Sequence, residues 1–321
     1  MSQSISFDPG WVEESRSEMP SRLDRALRED GFVQLHCADF DWRLTRRVFD
    51  QANWFFGQAL EFKQTFAYGS AAENFGFQGL GDEALDPTTG VPDVKETFTM
   101  RNVVHREVDD HRWPSTDFRQ TMVQFYGTCF GLASSLMRCI AAIGSLPEDY
   151  FVSAHTGENV TLRLLYYPGS VGGQPSFGSG LGRFATPEIL AGAHTDYGMM
   201  TLLFQDDVGG LQVQSMDGSW LDIVPQPQSV IMNTGDLMAH WSNDRFPSTS
   251  HRVRRNADVA RLSIAFFCDP DSKTEIEVLP GLKEEGREVR YVKTTAGEHI
   301  HRKLVATHAA AAGARAKGSV D

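Results

Sequence analysis

Two imidazoles and one carboxylate make the first chemistry in this chain: His194-Thr195-Asp196, followed by His251. That donor set holds non-haem Fe(II) on one face and leaves the other coordination positions open for oxygen chemistry. Further on comes Arg261-Leu262-Ser263. A guanidinium grips a carboxylate through two parallel hydrogen bonds, and a serine hydroxyl adds another donor. An anionic co-substrate beside the metal would use both. In an extended strand, residues i and i+2 share a face. His194 and Asp196 are therefore expected to point into one cavity, with Thr195 turned away. Arg261 and Ser263 are expected to do the same from a second strand. His251 lies 57 positions after His194, so the fold must return to that cavity. Each motif alone is weak, since an HxD triplet recurs by chance, a histidine can cap a turn and an arginine can sit in a surface ion pair. Their order and shared spacing favour the metal.

The elements that must position these groups are short. From about residue 158 the pattern is of strand-like segments split by Gly and Pro: 159–167, 194–204, 210–215, 219–224, 228–233, 249–254, 259–268 and 275–279. Such a series predicts a double-sheet barrel or jelly roll with inward positions alternating along each strand. Ahead of it, residues 20–30 read as an amphipathic helix with Leu23 and Leu27 on one face, stopped by Gly31. Residues 32–35 follow as a strand, 41–66 as helix and 67–95 as loops. The strongest helix spans 117–143, capped by Asp117 and closed by Gly144, with Phe118, Met122, Phe125 and Cys129 on its core face. Residues 168–192 are rich in Gly and Ser and predict a loop beside the cavity mouth. The Ala-rich tail after 303 predicts a last helix.

These segments resemble the isopenicillin N synthase-like branch of the Fe(II)/2-oxoglutarate-dependent oxygenases. The likeness runs through LREDGFVQL (27–35), ENFGFQG (73–79), PDVKETF (92–98) and LRLLYYP (162–168). It continues through HTDYGMMTLLFQDDVGGLQV (194–213), IMNTGDLMAHWSN (231–243) and PSTSHRV (247–253). The resemblance implies a mixed α and β fold, a double-stranded β-helix (jelly-roll, cupin-like barrel) flanked by helices. It implies an N-terminal α/β region over 1–115, an oxygenase core with its long backing helix over 116–300 and a helical tail over 301–321. It also implies that Fe(II) is held by His194, Asp196 and His251, and that 2-oxoglutarate chelates the iron and reaches Arg261, with Ser263 and Tyr167 as further donors. Oxygen would then drive oxidative decarboxylation to succinate and CO2, coupled to hydroxylation, desaturation or cyclisation of a small-molecule metabolite. No catalytic residue beyond the metal ligands is expected. Plant members often carry Asn where this chain has Leu165, which places more weight on Arg261 and Ser263.

Candidates for the substrate pocket are Arg163, Phe266, Asn74, Phe75 and Phe98. Arg163 would bind an acidic substrate or form a structural ion pair, and Tyr167 would donate to the co-substrate or pack in the core. Phe266 and Phe267 straddle their strand, so one of the two should face the pocket. His240 is not expected to be a fourth ligand, and His299 and His301 are expected at the surface.

Composition narrows the partners. A net charge of −12 argues against a general nucleic-acid or anionic-membrane surface. A hydrophobic share of 41% is ordinary for a soluble domain. No signal peptide or run of about eighteen apolar residues is visible. Cys37, Cys129, Cys139 and Cys268 are widely spaced and read as buried free thiols, which suits the cytoplasm. Three function classes remain: a 2-oxoglutarate-dependent oxygenase, an isopenicillin N synthase-like oxidase that uses O2 without 2-oxoglutarate, and a silent binding protein on the same barrel.

Overall fold

A computed structural model describes residues 3–8, 18–86, 91–171, 174–175 and 188–305. In chain order the elements are β1 (Gln3–Ser6), α1 (Met19–Asp30), β2 (Phe32–His36), α2 (Trp42–Phe56), α3 (Leu60–Gln64), β3 (Phe75–Gln78), β4 (Glu96–Arg101) and α4 (Thr116–Ile143). Then come β5 (Thr161–Tyr167), β6 (Ser170–Val171), β7 (Gln174–Pro175), β8 (Ile189–His194), β9 (Met200–Gln205), β10 (Leu211–Gln214), β11 (Trp220–Asp222) and β12 (Ser229–Thr234). Last are α5 (Asp236–Ser242), β13 (His251–Arg254), β14 (Arg261–Cys268), β15 (Glu275–Ile276) and β16 (Thr294–Thr295), with helix over 296–305.

Two sheets form the barrel. The larger has the order β1-β2-β12-β9-β14-β5-β4-β3, and the smaller β11-β10-β13-β8. Every neighbouring pair is antiparallel except β1 with β2. This is the expected jelly roll. Strands β1 to β4 belong to the same sheet as β5, β9, β12 and β14, so hydrogen bonding runs without a break from the first hundred residues into the rest of the barrel.

Alternation along the strands separates a core face from a site face. On the outer face of the large sheet, Phe98, Phe204 and Phe266 meet α4: Phe118 lies 5.3 Å from Phe98, Phe125 5.2 Å from Phe204 and Tyr126 5.1 Å from Phe266, ring to ring. Each buried ring contributes roughly 1.5–3 kcal/mol by leaving water. Among the described residues α4 is the one helix long and apolar enough to cross a membrane. Here its apolar side is consumed by this core, from Phe118 to Ala141. All four cysteines are buried and free.

Local signals account for most elements and correct several expectations. Helix α1 ends at Gly31, whose φ of 67° is left-handed. A Cβ there would also meet the Pro247 carbonyl at 2.2 Å, so only glycine fits. Helix α4 is capped by Ser115, not Asp117: the Ser115 side chain accepts from the Phe118 amide, while Asp117 sits in the first turn. The span 67–95 is not all loop, because Phe75–Gln78 pairs with β4. The expected strand 194–204 is two strands, β8 ending at His194 and β9 beginning at Met200. Of the Gly/Ser-rich stretch, residues 172–173 and 176–187 lie outside the described residues, and 189–192 are strand. Residues 306–321 of the tail also lie outside them.

Candidate metal centre and adjoining cavity

His194, Asp196 and His251 converge. One donor atom from each lies within 4.8 Å of the other two. His194 ends β8 and pairs across the small sheet with His251, which opens β13. The two rings are 4.3 Å apart. Asp196 is reached by the turn beyond β8 rather than by strand alternation, so the expected convergence arises from a chain reversal. Hydrogen bonds aim each donor. The Nδ1 atoms of His194 and His251 lie 2.8 and 3.2 Å from the carbonyl oxygens of Gly192 and Thr249. Carbonyls accept, so each Nδ1 carries the proton and each Nε2 is left as a ligand atom. Asp196 Oδ2 accepts from Thr201 Oγ1 and Asn233 Nδ2, both at 2.6 Å. Its Oδ1 turns toward His251 Nε2 at 3.8 Å. Burial first, then His251, pushes the pKa of His194 down to about 3, which keeps it neutral as a ligand must be. Two imidazole nitrogens and one carboxylate oxygen on one side fit a ferrous ion.

Strand β14 carries the second group. Arg261 is 2% exposed. Its Nε donates to the Gly209 carbonyl at 2.7 Å and its Nη1 to Ser263 Oγ at 3.1 Å. Its guanidinium lies 4.9 Å from the centre of the Tyr167 ring, on the paired residue of β5. Among the described residues Arg261 makes no ion pair, so it is a buried cation without a paired counter-charge.

A cavity of about 180 Å³ opens beside His194 and Asp196, bounded by inward residues of β4, β5 and β14. Arg163, Leu165, Asn74 and Phe267 all line it. Three expected pocket residues do not. Phe266 is fully buried on the opposite face of β14, against Tyr126. Phe98 pairs across from Leu164, also on the outer face, and packs on Phe55 and Phe118. Phe75 packs on Phe98 and Trp113. Strand parity explains the correction: Arg261, Ser263, Ala265 and Phe267 share a face, and Phe266 is out of step.

Arg163 forms an ion pair with Glu83 at 2.6 Å and also donates to Gln78 and Thr97. Lys95, which the sequence reading missed, joins it. Its ammonium pairs with Glu83 at 3.3 Å and with Asp93. Burial would raise the Glu83 carboxyl, but Arg163 and Lys95 outweigh it and hold its pKa down at about 2. Tyr68 donates to Asn74 Oδ1 at 3.0 Å. Also missed was Asp269 on the cavity wall, whose pKa is pushed up to about 7 by burial and then by Asp196. His299 is not simply at the surface, since it lies 3.5 Å from Asp236.

Comparison with known proteins agrees with this geometry. Residues 158–270 match the model of the 2OG-Fe(II) oxygenase superfamily, and residues 4–120 match that of the non-haem dioxygenase in morphine synthesis N-terminal region. A homoarginine-6-hydroxylase of Glycine max is 31% identical over 93% of this chain and 90% of its own. A 2-oxoglutarate-Fe(II) type oxidoreductase of Emericella nidulans is 28% identical over 89% and 84%. The crystal structure of a full-length Neurospora crassa protein in complex with alpha-KG (2-oxoglutarate) and thymine superposes with a TM-score of 0.79 at 30% identity, covering 95% of this chain and 96% of the other. The chain belongs to the 2OG-Fe(II) oxygenase superfamily. It is a 2-oxoglutarate-dependent non-haem iron dioxygenase that uses Fe(II), 2-oxoglutarate and O2. These relatives support that reading and not the oxidase that dispenses with 2-oxoglutarate.

Proposed function

We propose that His194, Asp196 and His251 are the iron ligands, that Arg261, Ser263 and Tyr167 seat the distal carboxylate of 2-oxoglutarate, and that the adjoining cavity holds a small metabolite. Bound Fe(II) supplies the oxygen-activating centre that couples decarboxylation of 2-oxoglutarate to oxidation of a substrate C–H bond. The protein positions and excludes water. Thr201 and Asn233 fix the Asp196 carboxylate, and the Gly192 and Thr249 carbonyls fix the two imidazoles. The observation that carries the co-substrate assignment is Arg261: a guanidinium 2% exposed with no ion pair among the described residues. A buried charge is costly without a counter-charge, and a dicarboxylate brings one. Ser263 Oγ, already accepting from Arg261, keeps its own proton to donate.

Arg163 and Asn74 stand on the cavity wall and are proposed as substrate contacts, with Phe267 taking the place expected of Phe266. Buried free thiols support a cytoplasmic location. The test is anaerobic Fe(II) binding followed by succinate release on admitting O2. Wild type should bind one Fe(II) and form succinate. His194→Ala, Asp196→Ala and His251→Ala should each lose both. Substrate oxidation by wild type without succinate would overturn the reading.

A further inference from the structure

Charge balance around the cavity singles out one carboxylate. Lys95 and Arg163 are cations on the wall, but Glu83 and Asp93 already match them. Asp196 is committed to the metal centre in the reading above. Asp269 remains. It lines the cavity, and among the described residues its side chain makes no hydrogen bond or ion pair. Arg101 is near enough to stabilise its charge but does not pair with it.

Three further observations bear on Asp269. It lines both this cavity and an adjoining one of about 370 Å³, and Tyr68, Asn74, Tyr197 and Leu304 are the other walls that the two share. Gly198, in the turn after Asp196, leaves room for it: a Cβ there would lie 1.8 Å from Asp269 Oδ1. The carboxyl is thus seated against the loop that carries a metal ligand. Thr99 also lines the cavity, is 3% exposed, and its hydroxyl finds no partner among the described residues. A buried hydroxyl and a carboxylate lining one cavity, both lacking side-chain partners among the described residues, are polar groups in need of a ligand.

We propose that Asp269 selects the substrate by pairing with a protonated nitrogen group, an amine, amidine or guanidine, on a small metabolite. The inference rests on the function proposed above and names the substrate class for the same cavity. A carboxylate discriminates between a cationic and a neutral nitrogen of the same shape, because the charge-assisted hydrogen bond is about twice as strong as the neutral one. Thr99 supplies a neutral hydrogen bond from the lining of the same cavity.

The experiment compares butylguanidine with its neutral isostere butylurea, and with pentanoate as an anionic control. Each is titrated by NMR into the full chain loaded with Mn(II) and 2-oxoglutarate under anaerobic conditions. Wild type should bind butylguanidine about tenfold tighter than butylurea, with pentanoate weakest. Asp269→Asn should lose the preference and Asp269→Glu should keep part of it. Equal binding of the two isosteres by wild type, or a preference for pentanoate, overturns the proposal even if every variant misfolds. An unchanged preference in folded Asp269→Asn also overturns it. Binding of 2-oxoglutarate is measured in the same samples. Its failure in wild type would count against the underlying reading of the site, whereas its success with no cation preference would count against Asp269 alone.

Discussion

Two regions of the barrel interior bury cations, and they do so differently. In the cavity wall, Lys95 and Arg163 are interlocked with Glu83 and Asp93, at 2.6 Å for Arg163 with Glu83 and 3.3 Å for Lys95 with Glu83. On the neighbouring strand β14, Arg261 is as buried as Lys95, but among the described residues its hydrogen-bond partners are all neutral: the Gly209 carbonyl, Ser263 Oγ and Gln205 Oε1. In the first arrangement each cation has a carboxylate partner. In the second the guanidinium makes no ion pair among the described residues. Burial of a charge therefore says little about function until its partners are counted.

The contrast breaks if the two sites respond alike to truncation. Lys95→Ala would leave Asp93 in the interior without its cation, while Glu83 keeps Arg163, and should cost about 3–5 kcal/mol of stability, as for other broken buried pairs. Arg261→Ala removes a cation that makes no ion pair among the described residues and feels only the nearby Asp206 charge, and should cost far less. Denaturant unfolding in the absence of 2-oxoglutarate measures both, and equal losses would erase the distinction.

The inward and outward faces give a second comparison. Phe266→Ala opens a hole under α4 and should cost about 3–5 kcal/mol. Phe267→Ala, one residue on, should spare most of that and weaken substrate binding instead. Parallel chemical denaturation and substrate titration separate the two. Substrate binding that fell with Phe266→Ala and held with Phe267→Ala would put the faces the wrong way round.

Acid unfolding sharpens the paired region. Glu83 has its pKa lowered from 4.5 to about 2 in the folded chain. A lowered folded pKa means that its contribution is complete above 4.5 and lost as pH falls through 2. A shift of that size is worth about 3 kcal/mol. The Glu83→Gln variant should be less stable at neutral pH and show a flatter stability curve between those values. A curve as steep as that of wild type would show that other carboxylates carry the acid transition.

Much of this was legible from residue order. The helix from 19 to 30 announced itself by Leu23, Leu27 and Gly31. The core stripe of α4 was plain from Phe118, Met122, Phe125 and Cys129. The face of β14 was also readable: the i, i+2 rule applied to Arg261 and Ser263 extends to Phe267, so choosing Phe266 departed from the rule's own parity. Other features were not readable locally. Strand β3 sits among Gly and Asn residues and owes its existence to pairing with β4. Asp196 lies beyond the end of β8, so its approach to His194 depends on a turn and on anchoring by Thr201 and Asn233 from two other strands. Lys95, Glu83 and Asp269 come together only through tertiary packing. A lone Lys or Asp in a sequence gives no sign of whether its counter-charge is present.

The most direct test of the unpaired Arg261 is an anaerobic titration of 2-oxoglutarate into the Fe(II)-loaded chain, wild type against Arg261→Ala. Charged hydrogen bonds of this kind are worth about 1.5–3 kcal/mol, so 2-oxoglutarate affinity should fall roughly 10- to 100-fold while Fe(II) binding holds. An unchanged affinity for 2-oxoglutarate would contradict the account, because the buried guanidinium would then be waiting for something else.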